Sequence, residues 1–283
     1  MSNHFHVLLF IDQDSYDEAS SHDIVTGWHQ IHQGNPVSGK FLNNEPLESH
    51  ETDQLNHFVD TWRERLASIS WYMRVLNEKV ARMANIEDDV TGRFWEGRFK
   101  CQALLDDQAL LSCLAYIDLN PVRVGIADAP EQSEHTSIQH RVKYWQQNSE
   151  RGQYSGRKQN RNNQTDTVKG NDQLFQPDDL HPFVGHLRQP MPEGIGFNLI
   201  DYLELVDWTG RQLRDDKVAA ISAQAEPILK RLSISPEHWV YLCKHFESRF
   251  KGLVGCVHSL EQACQVFGRK RRPNLAVSTA LYP

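Results

Sequence analysis

The strongest constraint on the fold is a stripe of apolar side chains in the first third of the chain. Its eight members recur at gaps of three or four residues: Leu55, Phe58, Trp62, Leu66, Ile69, Met73, Leu76 and Val80. Side chains at these gaps share one face of an α-helix, so the spacing predicts one long helix or two abutting helices. We interpret the stripe as the buried face of a core helix and assign it no chemistry.

Composition indicates a globular protein with an acidic balance. The 283 residues are 39% hydrophobic and 24% charged, with a formal net charge of −7. Nucleic-acid-binding domains usually carry a basic surface, so this charge argues mildly against such a partner. However, basic residues cluster locally, at Arg93–Lys100, Arg141–Arg161 and Arg269–Arg272. These clusters are candidate phosphate-binding patches, although a solvated basic surface explains them as well.

The cysteines and the hydropathy pattern favour a cytoplasmic protein without a membrane partner. The five cysteines form no Cys-x-x-Cys pair and show no regular spacing, which is typical of reduced thiols. No apolar run is long enough to cross a bilayer, and the first residues lack the basic segment of a signal peptide.

Two histidines bracket a phenylalanine near the start of the chain. The spacing of His4 and His6 within an apolar run predicts a strand over Phe5–Ile11. On a strand the two imidazoles project to one face, about 6–7 Å apart, and Phe5 points into a core. Neighbouring imidazoles are a good start on a divalent metal site, although such a pair is more often structural.

The middle of the chain is predicted to be less regular. Residues 12–53 are polar and contain Gly34, Asn35-Pro36 and Gly39, so we predict a long irregular insertion with one short helix near Ile24–Ile31. Thr91–Leu105 is predicted to form a strand or a hairpin arm.

This second segment alternates cations with aromatic residues. Arg93, Trp95, Arg98 and Lys100 form the composition of a strand that contacts nucleic acid, with cations for phosphates and rings for bases. A strand with inward-facing rings and solvated charges explains the pattern equally well.

A helix with a chemically reactive flank is predicted next. Asp106 or Asp107 is its expected N-cap, and its buried stripe comprises Leu110, Leu111, Leu114 and Ile117. Tyr116 and Asn120 are four residues apart on the opposite flank, behind the small residues Ala109, Ser112 and Cys113, which we expect to leave room for a substrate. Pro121 is expected to end the helix at about Asn120.

These side chains together point to chemistry at a phosphate. If the histidine strand lies beside the tyrosine helix, His4, His6 and Asn120 could bind Mg²⁺ or Mn²⁺ together with a substrate phosphate. The ion would offset the negative charge that repels a nucleophile, and Tyr116 would attack to form a covalent phosphotyrosine. Taken singly, each residue is better explained as packing or as a helix end.

The remaining chain is predicted to contain a linker and a helical module. Residues 148–175 are rich in Asn, Gln, Arg and Gly and are predicted to be disordered. Helices are predicted at Phe197–Leu213, at Val218–Leu232 and from a Ser235 cap with Pro236 to about Phe250. A capping box at Ser259–Gln262 predicts a last short helix, which makes the module all-helical.

Three motifs in this order resemble a known family. They are Ser2-Asn3-His4-Phe5-His6-Val7-Leu8-Leu9, Gly92-Arg93-Phe94-Trp95-Glu96-Gly97-Arg98-Phe99-Lys100 and Ala115-Tyr116-Ile117-Asp118-Leu119-Asn120-Pro121-Val122-Arg123. They resemble the single-tyrosine His-hydrophobic-His transposases, specifically the bacterial REP-associated tyrosine transposases. The resemblance covers roughly residues 1–145, and the stretch from Ile200 to Arg211 resembles the extension of the longer members.

The resemblance implies a fold and a function. It implies an α+β protein with a ferredoxin-like core that cuts and joins single-stranded DNA, usually beside a hairpin. His4 and His6 would be metal ligands, Asn120 the third ligand and Tyr116 the nucleophile. Arg123 would join the DNA-contacting residues of the second motif. Members often act as dimers, so a homodimer is also implied.

One departure from the family accompanies this assignment. In the family a strand, a helix and a strand precede the His-x-His strand, so the sequence predicts an N-terminally truncated core. The expected organisation is a transposase domain at 1–147, with its insertion at about 12–53, a linker at 148–175 and an all-helical module at 176–283. Two alternatives stay open: an inactive remnant that only binds DNA hairpins, and an unrelated metal-dependent hydrolase.

Overall fold

The structure is a computed structural model that describes residues 4–156, 176–185, 193–214 and 226–282. Its elements in chain order are α1 (Gln13–Glu18), α2 (Ser21–Ile31), α3 (Pro36–Leu42), α4 (Ser49–Leu66), α5 (Ile69–Glu87), β1 (Ala103–Leu104), α6 (Asp107–Asp118), α7 (Asn120–Arg123), a 3₁₀ turn (Pro130–Gln132), α8 (Ser137–Gly156), α9 (Leu199–Arg214), α10 (Glu226–Leu232), α11 (Pro236–Arg249), β2 (Leu253–Val254), α12 (Val257–Val266) and α13 (Leu275–Leu281). The described chain is therefore mostly helical.

The chain divides into two compact units. One contains Leu9–Lys100 and the other contains Met1–Leu8 with Cys101–Pro283. The predicted domain boundary at residue 147 does not coincide with either unit. Residues 148–156 continue helix α8, and the rest of the predicted linker, 157–175, lies outside the described residues.

The unit Leu9–Lys100 is built around the predicted apolar stripe. The prediction of two abutting helices is confirmed, because α4 ends at Leu66 and α5 begins at Ile69 behind a Ser68 cap. Helix α2 packs on α4. The core that they enclose comprises Ile24, Val25, Trp28, Leu55, Val59 and Trp62.

The predicted irregular insertion at 12–53 is wrong in part, because three helices and the start of a fourth occupy it. Asn35 and Pro36 do not break the chain but start α3, where Asn35 is the N-cap and its side chain accepts a hydrogen bond from the Ser38 amide. Proline at the first helical position has no amide to leave unpaired, so Asn-Pro starts a helix as readily as it interrupts one.

The second unit has a core made from distant parts of the chain. Helix α6 packs against α11, and α9 packs against α7, α10 and α11. Large side chains at the centre are fully buried, among them Phe197, Tyr202, Trp239, Phe246 and Phe250. The predicted Ser235 cap with Pro236 at the start of α11 is confirmed. Residues 218–225 of the predicted helix Val218–Leu232 lie outside the described residues, and α10 covers the rest.

Two predicted strands are wrong. Phe5–Ile11 has no regular structure, and Phe5 is 40% exposed rather than packed in a core. The segment Thr91–Leu105 is irregular up to Gln102. Only Ala103–Leu104 forms a strand, and its partner is the distant, parallel pair Leu253–Val254.

The described sheet is small. Besides β1 and β2, the described residues contain one isolated bridge, between Phe183 and Ile195. Two strands of two residues do not by themselves show a ferredoxin-like core. The prediction that residues 176–283 form an all-helical module is therefore wrong in part, because this region contains the strand β2.

Candidate active site around Tyr116

Helix α6 positions the predicted nucleophile. The Asp106 side chain accepts a hydrogen bond from the Ala109 amide at 2.9 Å, which confirms the predicted N-cap and sets the start of the helix. The helix ends at Asp118, and Asn120 begins the short helix α7, with Pro121 in its first turn. This break places Tyr116 in the last turn of α6 and Asn120 at the first residue of α7.

The two histidines lie beside this tyrosine. The ring centroids of His4 and His6 are 5.2 Å apart, and those of His6 and Tyr116 are 5.6 Å apart in an edge-to-face arrangement. The juxtaposition arises without the predicted strand. His4 is exposed and His6 is half-buried, so the series of rings leads from the surface to the phenol.

The environment of Tyr116 is more enclosed than its predicted flank. The side chain is 6% exposed, and the ring of Phe246 lies 5.9 Å from its own. The prediction that small residues leave an open flank is wrong, because Ala109 and Ser112 are themselves fully buried in the packing around α6. Any substrate must therefore approach from another side.

Two charged groups contact Tyr116. Its hydroxyl donates a hydrogen bond to Glu247 Oε2 at 3.1 Å, and the Arg123 guanidinium carbon lies 4.0 Å from the ring centroid. Burial raises the pKa of Tyr116 above its ordinary value, whereas the guanidinium acts to lower it. The phenol therefore favours its protonated form and needs an acceptor for its proton before it can attack.

The predicted third ligand, Asn120, is engaged elsewhere. Its Oδ1 accepts a hydrogen bond from Arg123 Nη2 at 2.7 Å, and the residue is almost fully buried. Arg123 also donates to the backbone carbonyls of Cys243 and Lys244 on α11, at 3.3 and 3.2 Å. As placed here, Arg123 tethers α11 to the tyrosine rather than presenting a free cation to DNA.

The two imidazoles fit a divalent cation better than Asn120 does. Nε2 of His6 is buried and has no hydrogen-bond partner among the described residues, as expected of a nitrogen that awaits a ligand. Burial lowers the pKa of His6 below its ordinary value, which favours the neutral form that binds metals. Asn120 would have to release Arg123 first. The described residues contain no cluster of three or more His, Cys, Asp or Glu side chains suited to a metal.

Four predicted DNA-contacting residues belong to the other compact unit. Arg93 donates hydrogen bonds to the carbonyls of Trp95 and Glu96, and the Trp95 indole donates to the Asn77 carbonyl at 2.8 Å. These two side chains brace an irregular loop. Arg98 and Lys100 are exposed at its end.

Sequence reasoning missed the contribution of α11. Glu247, Phe246 and the carbonyls that bind Arg123 all come from this helix, which had been assigned no chemistry. Its sequence gave no signal, because a glutamate near a helix C-terminus is ordinarily a solvated charge.

Comparisons of the chain with models of protein families, with curated proteins and with solved structures found no match. None of the helices in the described ranges has both the length and the apolar character that crossing a bilayer requires. All five cysteines are free thiols, as their spacing predicts.

Proposed function

We propose that this chain cuts and joins single-stranded DNA through a covalent phosphotyrosine on Tyr116. The observation that carries the proposal is the row of His4, His6 and Tyr116. The two histidines are more than a hundred residues from Tyr116 in the sequence, yet the ring centroids of His4 and His6 lie 5.2 Å apart and those of His6 and Tyr116 lie 5.6 Å apart. The resemblance of the three motifs to the REP-associated tyrosine transposases supports the same reaction.

The histidines have a binding role in this reaction. A Mg²⁺ or Mn²⁺ ion held by His4 and His6 would neutralise charge on a non-bridging phosphate oxygen. The exposed ring of His4 identifies the side from which a phosphate group can approach. The ring of His6 contacts those of both His4 and Tyr116, and its Nε2 has no hydrogen-bond partner among the described residues.

Tyr116 supplies the nucleophile. Its hydroxyl gives up a proton to a base as its oxygen bonds to phosphorus, the bond from phosphorus to one deoxyribose oxygen breaks, and that departing oxygen takes a proton from water. Arg123, with its guanidinium over the phenol ring, stabilises the negative charge of the attacking oxygen. The phosphotyrosine retains the bond energy of the phosphodiester, so a DNA hydroxyl can reverse the step and join a new strand.

The proposal extends to features that the motif resemblance implies. These are a ferredoxin-like core around the histidine segment, a homodimer and a cytoplasmic location. The two-stranded β1–β2 sheet does not by itself support a ferredoxin-like core, whereas the side chains around Tyr116 support the reaction directly.

The direct experiment is detection of a covalent protein–DNA adduct. The full chain is incubated with Mn²⁺ and a labelled single-stranded DNA that carries a hairpin, then denatured and resolved by electrophoresis. We expect a shifted band for the wild-type chain and none for Tyr116→Phe. Tyr241→Phe is the matched control, because this half-buried tyrosine lies on α11 beside His245.

A band of equal intensity from Tyr116→Phe would refute the proposal, as would the absence of any band from the wild-type chain. His6→Ala should reduce adduct formation at least tenfold while the chain stays folded, because the metal ion that binds the substrate phosphate would lose one of its ligands.

A second candidate function is hairpin binding without cleavage. The burial of Tyr116 and the hydrogen bond from Arg123 to Asn120 favour it, because both resist the arrangement that catalysis needs. It predicts DNA binding that weakens with salt, survives Tyr116→Phe and yields no adduct. Replacing the exposed Arg98 and Lys100 by alanine would then weaken binding and reduce its salt dependence.

A further inference from the structure

We propose that Glu247 is the general base that accepts the Tyr116 proton, so that helix α11 completes the active site. This inference rests on the proposed function, because it assigns the proton transfer that the attack of the phenol requires. Glu247 lies outside the segment that carries the motif resemblance. It reaches Tyr116 only through the tertiary fold.

The geometry supports this role directly. Glu247 Oε2 lies 3.1 Å from the Tyr116 hydroxyl oxygen, within the range over which a positioned base removes a proton. The carboxylate already accepts the hydrogen bond from the group that must lose its proton. Glu247 is also exposed, so its carboxyl group can exchange protons with water.

The other groups near the phenol are less suitable. The ring of His6 meets Tyr116 edge to face, and its Nε2 makes no hydrogen bond to the hydroxyl. Arg123 is a permanent cation that stabilises a phenolate but cannot accept a proton. Glu247 is thus the group that already accepts a hydrogen bond from the phenol.

The position of the carboxylate is held by the packing of α11 on α6. Phe246 is buried against the Tyr116 ring, one residue before Glu247. Arg123 donates to two carbonyls of the preceding turn of α11 and to Asn120, so one guanidinium connects both sides of the site. These contacts keep the base and the nucleophile in register.

The proton balance of the step is simple. As the Tyr116 oxygen bonds to phosphorus, its proton moves to Glu247 and the departing deoxyribose oxygen is protonated by water. In the rejoining step a DNA hydroxyl attacks the same phosphorus and loses its proton to the hydroxide that the first step released into the solvent. Tyr116 then leaves as a phenolate and recovers a proton from the Glu247 carboxylic acid.

The test compares rates of adduct formation in the full chain. Glu247→Gln preserves the shape and a hydrogen-bonding amide but cannot act as a base, and we expect adduct formation to slow about 100-fold. Glu247→Asp should recover part of that loss. Glu237→Gln is the matched control, an exposed glutamate in the first turn of the same helix, and it should react at the wild-type rate.

A second measurement separates proton transfer from structural support. Site-specific replacement of Tyr116 by a trifluorotyrosine supplies a phenol that ionises without help. In the Glu247→Gln chain this replacement should reduce the 100-fold deficit to less than about tenfold, whereas a packing defect would persist. Hairpin binding should be unchanged by Glu247→Gln.

The outcomes distinguish this inference from the proposed function. No adduct from the wild-type chain overturns the proposed function and this inference with it. An adduct from the wild-type chain together with an undiminished rate for Glu247→Gln overturns the inference alone. A slowed rate that trifluorotyrosine does not relieve assigns Glu247 a structural role and also overturns it.

Discussion

The two compact units bury very different side chains. In the unit Leu9–Lys100 the described buried polar residues are limited to Ser38. In the other unit they are Ser112, Asp118, Asn120, Ser133, Arg141, Gln176, Thr209, Gln212 and Ser278. A buried polar group is costly unless it is hydrogen-bonded, so this unit depends on a network of specific partners. The candidate active site lies within that unit.

The network around Asp118 illustrates the difference. Its carboxylate accepts hydrogen bonds from Ser137 Oγ at 2.6 Å, from the Ile138 amide at 3.1 Å and from Tyr202 Oη at 2.7 Å. These donors come from α8 and α9, so one side chain two residues after Tyr116 joins three helices. In the unit Leu9–Lys100 the corresponding connection is made by aromatic rings, with Trp28 stacked on Trp62 at 5.0 Å.

The largest expected effect follows from removing a central tryptophan of the unit that contains Met1–Leu8 and Cys101–Pro283, which we call the polar unit. Trp239 is fully buried, and its indole donates to Thr209 Oγ1 at 2.8 Å. Trp239→Ala should lower the free energy of unfolding by about 3–5 kcal/mol, because it leaves a cavity and removes the donor that the Thr209 hydroxyl accepts from. Urea denaturation measures the loss, and hydrogen exchange should rise in α9 and α11.

Trp28→Ala is the matched substitution in the unit Leu9–Lys100, which we call the aromatic unit. Trp28 is 7% exposed and stacked, and its indole nitrogen makes no hydrogen bond to any described residue that is comparable to that of Trp239. Trp28→Ala should lower the free energy of unfolding by less than Trp239→Ala does, and its effect on hydrogen exchange should centre on α2 and α4. A larger loss for Trp28→Ala would show that polar burial does not distinguish the units in the way described.

An intermediate effect is expected at Asp118. Asp118→Leu leaves three donors without an acceptor and should cost about 2–3 kcal/mol, whereas Asp118→Asn retains an oxygen for Ser137 and Ile138 and should cost less. Burial raises the pKa of Asp118 above its ordinary value, so the folded state binds more protons than the unfolded state does. The wild-type chain therefore loses stability as the pH rises from the ordinary pKa of an aspartate towards the raised pKa of Asp118 in the folded state.

The asparagine of Asp118→Asn does not ionise, so this position adds no pH dependence to the stability of the variant. The stability deficit of Asp118→Asn relative to the wild-type chain should shrink between pH 4 and pH 7.5, as measured by thermal unfolding at both values. A deficit that grows with pH would mean that the ionised carboxylate is favoured by its partners over its burial.

The smallest effect is expected from a cation in the aromatic unit. The guanidinium of Arg65 lies 4.2 Å from the Trp71 ring centroid and 5.9 Å from that of Trp28. Arg65→Met should cost about 0.5–1 kcal/mol in urea denaturation, since the methionine keeps the packing but loses the cation–π attraction. Arg82→Met, which breaks the exposed pair with Glu78, should cost less, and an equal loss would remove any special role for Arg65.

Predictions succeeded where a local rule determined the structure. The paired helices α4 and α5, the Asp106 cap and the Ser235-Pro236 start follow from periodicity and capping, which depend on residues a few positions apart. The predicted strand at Phe5–Ile11 failed because a strand requires a distant pairing partner. The insertion was misjudged because Asn35-Pro36 has two local meanings, a break and a helix start.

Sequence patterns named the candidate residues around Tyr116 but not their contacts. Sequence patterns selected His4, His6 and Tyr116, whose rings do lie together. They could not indicate that Asn120 binds Arg123, or that Tyr116 donates to a carboxylate 131 residues away. Those pairings depend on which helix faces the reactive flank, and no local spacing encodes that choice.

The sequence by itself determined where the apolar stripe runs, where the capped helices α6 and α11 begin and which side chains are candidate ligands and nucleophiles, because short-range energies and side-chain chemistry govern all three. Only the tertiary structure decided that α11 would cover Tyr116, that its phenol would be enclosed and that Glu247 would accept a hydrogen bond from its hydroxyl. Burial is shared among distant segments, and its free energy is defined only once those segments have packed.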